Sequence, residues 1–368
     1  MSRHSNITRT VIAAIAGVAL AALGACSSGA TSGAGDKVRF EDTGTFNEAA
    51  PQANSITGAK LSSLGKVDGS KYKVGILIKS LTNQYWQQVE AGIQRAKSDY
   101  AVKTSQVMSA KSETDTSEQL QICQTMLLEK YDAFIVSPQT TSNLIPCINQ
   151  MKAKKIPVIN IAAPGKGLQS TVYVGSALAT DGKLAGKYLA DTLPARAKVA
   201  EIQGLPGSSA ADLRATGFKA AMDEADLDFV ASVAGDWDEQ KAYQRTKDLL
   251  AKYPDLAGIY AANDTMASAV ARAAAQANRK DLVVVGTDGV PIAVDAIVKG
   301  DIDATITPFP FYQGYWSLEA AVRVLNGQDV PLWVNTTDEV ITKANASKYF
   351  QSDGTAKPDL YSSAGSSK

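Results

Sequence analysis

Histidine is all but missing from this sequence. The 368-residue chain has one, His4, near its start. Ser–His–Asp and Cys–His catalysis need an imidazole to move the proton, and most transition-metal sites need one as a ligand. Cysteine is scarce too. Cys26, Cys123 and Cys147 show no CxxC spacing and have no histidine partner, so no metal site is expected. Net charge is also lacking: 37 basic side chains face 37 acidic ones, and without residues 1–25, which carry Arg3 and Arg9 and no acid, 35 face 37. A nucleic-acid footprint needs a clear basic excess, so no nucleic-acid partner is expected. Lysine- or carboxylate-based catalysis survives these exclusions, but nothing points to it; the expectation is a non-enzyme without a cofactor.

Long apolar runs are absent apart from Val11–Leu20, which is broken only by small residues. That run is short for a membrane span, follows the positive residues Arg3 and Arg9, and ends at small residues, the pattern of a cleaved signal. The tetrad Leu23-Gly24-Ala25-Cys26 resembles a bacterial lipobox. It implies cleavage after residue 25 and lipid attachment at Cys26, hence export and anchoring on the outer side of the cytoplasmic membrane. A plain secretory signal with a chance cysteine is the alternative. In an exported protein the remaining pair, Cys123 and Cys147, reads as a disulfide, with two buried free thiols the alternative.

What is present is alternation. Residues 27–35 are rich in Ser, Gly, Ala and Thr and read as a flexible tether. Residues 36–71 are polar with scattered apolar positions and read as an irregular leader, so 26–71 is tether and leader together. From Tyr72 onward, short apolar runs such as Val74–Ile78, Ala133–Val136, Val158–Ile161, Val199–Ile202, Gly258–Ala261 and Val283–Gly286 alternate with amphipathic stretches such as Gln87–Tyr100, Ala210–Glu224, Gln240–Lys252 and Ala267–Ala277. Apolar strands alternating with helices predict an α/β fold with parallel sheets covered on both faces. The strands are too many for one compact sheet of usual size, so two lobes are expected.

In such sheets ligands bind beyond the C-terminal strand ends. Those ends carry Lys79 to Trp86, Gln139 to Asn143, Asn160 to Pro164, Asn263-Asp264, Asp288-Gly289 and Thr307 to Gln313. Planar polar groups mixed with aromatic faces suit a neutral, hydroxyl-rich ligand.

In this order and spacing, Ser80-Leu81-Thr82-Asn83-Gln84-Tyr85-Trp86, Glu201-Ile202-Gln203-Gly204, Ser208-Ser209-Ala210-Ala211, Asn263-Asp264-Thr265-Met266-Ala267 and Gly286-Thr287-Asp288-Gly289 are familiar. Over roughly residues 72–340 the chain resembles the ribose-binding-protein-like type I periplasmic binding proteins, the solute receptors of ABC sugar importers. The resemblance implies two Rossmann-like lobes joined by a three-strand hinge. The N-lobe would take 72–174 plus 309–335 and the C-lobe 175–308 plus 336–350, with 351–368 as a tail. It also implies a monomer that closes on its ligand and delivers it to a permease and ATPase complex.

Residue by residue, the resemblance implies that Asn83, Asn263 and Asp288 bind hydroxyls. Tyr85 and Trp86 would cover one ligand face and Trp237 the opposite one, and Arg214 would reach in from the C-lobe. Lys79, Gln139, Asn160 and Gln313 complete the candidate set from the strand ends. Each has a plainer reading: helix-start packing for Tyr85 and Trp86, core packing for Trp237, a helix cap for Asn263, a turn for Asp288, a solvated charge for Arg214, and neutralisation of Asp288 for Lys79. One departure bears on specificity. Ala162 and Ala163 stand where sugar binders of this family usually carry an Asp-Arg pair that clamps ring hydroxyls. Without that clamp a ring sugar loses partners for buried hydroxyls, so the expected ligand is a small polyol or monosaccharide, the short sugar alcohol fitting better. A ligand-sensing binding protein partnered with a membrane histidine kinase is the alternative. A repressor built on the same lobes would need a DNA-binding helix-turn-helix where this chain has its signal.

Overall fold

Runs of β-branched residues favour pleated, buried strands because their side chains pack well on a sheet surface. In the computed structural model, which describes residues 38–44, 55–104, 106–357 and 360, these runs form two sheets. The signal segment and Cys26 lie outside the described residues.

The first sheet runs in the order Ser55–Thr57, Trp333–Asn335, Val172–Gly175, Val158–Ile161, Ala133–Val136, Lys73–Ile78 and Lys103–Thr104, with Met108–Ser109 also pairing with Lys73–Ile78. All of its pairings are parallel. The second sheet runs Asp228–Ala234, Lys198–Gln203, Leu256–Ala261, Val283–Thr287, Ala304–Thr307 and Glu339–Thr342. It is parallel except for its last pair. The chain passes between the sheets after Gly175, after Thr307 and after Asn335. The strand interiors Ile76, Ile135, Ile159, Ile202, Ile259 and Val285 are fully buried. Each contributes on the order of 1.5–3 kcal/mol of hydrophobic stabilisation.

Helix packing repeats in the two halves. The helices Gln84–Tyr100 and Pro310–Leu325 cross where Gly92 and Gly314 face each other's backbone: a Cβ on Gly92 would sit 1.7 Å from the Phe311 carbonyl oxygen. The helices Leu178–Thr192 and Ser209–Glu224 cross likewise at Gly182 and Gly217, where a Cβ on Gly182 would sit 1.9 Å from the Arg214 carbonyl oxygen.

One expectation needs correction. The leader is not irregular throughout. Ser55–Thr57 adds an edge strand beside Trp333–Asn335, and Gly58–Ser62 forms a short helix capped by Thr57, with Gly58 against the Trp316 ring. The buried Arg323–Glu319 pair holds this region, Arg323 donating to the Gly65 carbonyl and Glu319 accepting from Ser62. Upstream, Glu41–Asp42 pairs with Gln169–Ser170, and Arg39 bonds Asp329 and the Val330 carbonyl. Three-residue strands of mixed polarity carry no period that sequence can show. The described part of the tail folds back: Phe350 bridges to Ala356, and the Tyr312 hydroxyl donates to the Lys357 carbonyl while accepting from the Leu360 N–H.

Cys123 and Cys147 form a disulfide across the helices Thr116–Met126 and Ile145–Ala153, inside a secondary apolar cluster with Leu77, Phe134 and Met151. Among the described residues no helix is long and apolar enough to cross a membrane, and no group of His, Cys, Asp and Glu is placed to hold a metal ion.

Candidate ligand-binding cleft

The C-terminal ends of the two sheets face each other across a cavity of about 30 Å³. The lobes meet around it. Thr141 N–H donates to the Gly207 carbonyl at 3.1 Å, Ile292 N–H to Gln84 Oε1 at 3.0 Å, and Lys79 Nζ to Ser208 Oγ at 3.4 Å.

From the first sheet, the cavity receives Lys79, Asn83, Tyr85, Trp86, Glu113 and Ala162. Lys79 directly follows the strand Lys73–Ile78 and is 3% exposed. Its ammonium lies 5.9 Å from the Trp86 ring centre and 6.0 Å from that of Trp237, within range of cation–π attraction. Burial lowers its pKa to about 8, although Glu113 pulls it upward. Asn83 caps the helix Gln84–Tyr100, its Oδ1 accepting from Tyr85 N–H, while its Nδ2 donates to Glu113 Oε1 at 2.7 Å. Both ends of that amide are engaged, so Asn83 lines the cavity with its hydrogen-bonding capacity largely spent on the protein. Trp86 also bonds Glu113, and burial pushes the Glu113 carboxyl above its usual range. Tyr85 and Trp86 pack edge to face, and the Tyr85 hydroxyl donates to Gln313 Oε1.

From the second sheet come Ala210, Arg214, Trp237, Asn263 and Asp288. Arg214 is 4% exposed and so is not a solvated helix charge. Its Nη1 donates to the Ala262 carbonyl at 2.7 Å and to Asp288 Oδ1 at 3.4 Å, and its Nε to Asp181 Oδ2 at 3.2 Å. Burial alone would lower its pKa, but Asp181 and Asp288 raise it. Burial drives the Asp288 carboxyl well above the carboxylate range against the pull of Arg214. Asn263 caps Asp264–Gln276 through its Oδ1 and also lines the cavity; its Nδ2 is buried with no protein partner. Trp237 Nε1 is likewise buried and unpartnered, with the ring seated on Gly204. Two unmet donors in one cavity call for an acceptor from a ligand or water. Ala162, Trp237 and Asp288 hold φ of 58°, 64° and 135°, left-handed backbone that non-glycine residues rarely adopt.

Three predicted residues do not line the cavity. Gln139 donates to the carbonyls of Lys79 and Ser112 and so braces the strand-end loops from behind. Asn160 turns into the sheet and donates to the Val136 carbonyl. Gln313 links Tyr85 to Thr336 at the third crossing between lobes. All three sit on the right loops, but pleat and helix phase aim them into the protein.

Sequence reasoning missed Glu113, Asp264 and the pair Asp181 and Asp338. Glu113 follows the two-residue strand Met108–Ser109, too short to read as a strand; once seen, the strand-end rule points directly to residues 110–115. Asp264 accepts from Gly289 N–H, Val290 N–H and Thr305 Oγ, fixing the turn that presents Asp288. Burial raises its pKa to about 6. Asp181 and Asp338 meet beside Ser176 and hydrogen-bond each other, and burial raises both. They lie at the first and third crossings, directly behind Arg214.

Comparison with known proteins fits this geometry. The D-ribose/D-allose-binding protein of Pseudomonas aeruginosa is 30% identical over 266 residues, covering 70% of this chain and 83% of the relative. The ribose import binding protein of Bacillus subtilis is 28% identical over 260 residues, 71% of this chain and 84% of that one. Among solved structures, an ABC transporter periplasmic solute-binding protein from Actinobacillus succinogenes with bound D-allose superposes with a TM-score of 0.72 at 28% identity, covering 76% of this chain and all of that one. One from Mycobacterium smegmatis with bound glycerol gives 0.72 at 27% identity, covering 78% and 99%. The fold is that of the type I periplasmic binding proteins. The periplasmic binding protein domain model matches residues 74–329, and the chain belongs to that family.

Proposed function

We propose that this protein is the extracytoplasmic solute receptor of an ABC importer, not an enzyme. Its ligand is a small polyol or a monosaccharide, with four- and five-carbon sugar alcohols preferred to ring sugars. The observation that carries this reading is the cavity itself. It is closed by bonds from both lobes, walled by Tyr85, Trp86 and Trp237, and bordered by Ala162 where a charged clamp would favour a ring. Aromatic faces suit C–H surfaces, and the donors of Asn263 and Trp237 suit hydroxyl oxygens. Relatives described as binding ribose and allose support a monosaccharide, and a solved one holding glycerol supports a small polyol. The lobes divide near 72–174 plus 309–335 and 175–308 plus 336–350, and they open and close about the three crossings. Export, lipid attachment at Cys26 and a monomeric state complete the proposal.

A thermal-shift screen of glycerol, tetritols, pentitols, pentoses, hexoses and sugar acids tests it. A ligand at a hundred times its dissociation constant stabilises by about 2.7 kcal/mol. Stabilisation by a tetritol or pentitol is expected. Tight hexose binding with no response to any polyol would overturn the polyol assignment. Loss of fatty-acid labelling in Cys26→Ala cells is the corresponding check on the anchor.

A further inference from the structure

Lys79 and Glu113 share features that structural duty alone does not explain. A lysine ammonium at 3% exposure is costly, yet among the described residues its one side-chain hydrogen bond is a long one, 3.4 Å to Ser208 Oγ. An ammonium carries three donors, so two remain for the cavity. Glu113 is fixed by Asn83 Nδ2 and by the Trp86 indole. Those two bonds occupy part of a carboxylate's four acceptor positions. Both residues line the cavity on the same lobe as Ala162, whose side chain offers no polar atom. The Asn83 amide is already engaged, so these two supply the N-lobe's remaining strong polar capacity.

We propose that Lys79 and Glu113 are the N-lobe's specificity-determining clamp, the ammonium donating to one hydroxyl oxygen of a neutral polyol and the carboxylate accepting from the neighbouring hydroxyl. A donor beside an acceptor reads a vicinal diol. Across the cavity Arg214 and Asp288 repeat the arrangement from the C-lobe. The clamp rests on the polyol reading and goes beyond it by naming residues and the group they read.

Deprotonation of Lys79 removes the donor charge. The charged groups acting on it are Glu113, Arg214 and Asp288. Of these, Arg214 stays charged throughout the alkaline range, so affinity falls as pH rises past about 8.

The test is titration calorimetry of the purified protein with erythritol, threitol, xylitol and arabitol. Wild type, Lys79→Met, Lys79→Arg and Glu113→Gln are compared at neutral pH, and wild type and Lys79→Arg from neutral pH to about one unit above the Lys79 midpoint. Removing one partner of a charge-assisted hydrogen bond should weaken binding roughly ten- to a hundredfold in Lys79→Met and Glu113→Gln. Wild-type affinity should fall across the alkaline range while that of Lys79→Arg stays flat. Binding within twofold of wild type in both Lys79→Met and Glu113→Gln, or a flat wild-type pH profile, overturns the clamp. The pH profile needs no variant, so a folding failure leaves the question decided. Wild type that binds no polyol but binds a sugar overturns the polyol reading, whereas wild type that binds polyols with indifferent variants overturns only the clamp.

Discussion

Replacing Arg214 with methionine removes the one cation that serves three carboxyls. Arg214 donates to Asp181 at 3.2 Å and to Asp288 at 3.4 Å, and Asp338 meets Asp181 from behind. Breaking a buried ion pair by deleting one partner costs on the order of 3–5 kcal/mol, because the other charge stays buried and unpaired. The Ala262 carbonyl loses its donor as well. At about 2–4 °C per kcal/mol for a domain approaching this size, the melting temperature should drop by roughly 6–20 °C near neutral pH. The pH dependence separates this from simple loss of packing. All three carboxyl pKa values are already raised by burial, and losing the guanidinium raises them further. A carboxyl whose folded pKa exceeds its unfolded value destabilises the fold increasingly as pH rises from the unfolded pKa to the folded one, and the penalty is absent below the unfolded pKa. The gap between variant and wild type should therefore be larger at neutral or higher pH and narrow on acidification. Scanning calorimetry of both proteins at neutral and acidic pH reads it directly. A gap that is small at neutral pH, or that stays constant on acidification, would refute the assignment of Arg214 as the charge centre of the cleft.

Three further outcomes follow from named contacts. Lys79→Met should stabilise the ligand-free protein while weakening ligand binding. The shift of the lysine pKa from 10.5 to about 8 corresponds to at most about 3 kcal/mol of burial penalty. In wild type that penalty is fully present below the folded pKa and lifts between about pH 8 and 10.5, so stability should rise with pH there and the variant's should not. Gly204→Ala places a Cβ 2.0 Å from the Trp237 ring; the indole must leave its seat, and ligand-induced stabilisation in a thermal-shift assay should be lost or greatly reduced. Replacing Cys123 and Cys147 together with serine opens a crosslink spanning 24 residues. The chain-entropy account gives a loss of about 3 kcal/mol in denaturant unfolding, and reductant should change the melting temperature of wild type alone.

The buried strands were the most readable part of the fold. Val74–Ile78, Ala133–Val136 and Val158–Ile161 are continuous apolar runs, and they form strands over almost the same residues. Such runs have few alternatives to a sheet covered on both faces. Strands that depend on their neighbours were not readable: Ser55–Thr57, Met108–Ser109 and Trp333–Asn335 are two or three residues long and are placed by register against longer partners. The site followed the same division. Residues at the ends of readable strands, such as Lys79, Asn263 and Asp288, line the cavity, while Glu113 was hidden because its strand was. Loop position alone could not separate Gln139, which braces the wall, from Tyr85, which forms it. That distinction depends on side-chain direction.

Among the described residues, the entry segment's hydrogen bonds and strand pairings go to one half of the molecule. Arg39 reaches Asp329 and Val330, Glu41–Asp42 pairs with Gln169–Ser170, Ser55–Thr57 joins Trp333–Asn335, and Ser62 and Gly65 bond Glu319 and Arg323. Were the chain held at the proposed lipid anchor, these contacts would make the N-lobe the stator and leave the C-lobe as the rotor. Occupancy of the cleft would then be displayed to a membrane partner as the position of one swinging half against a fixed one.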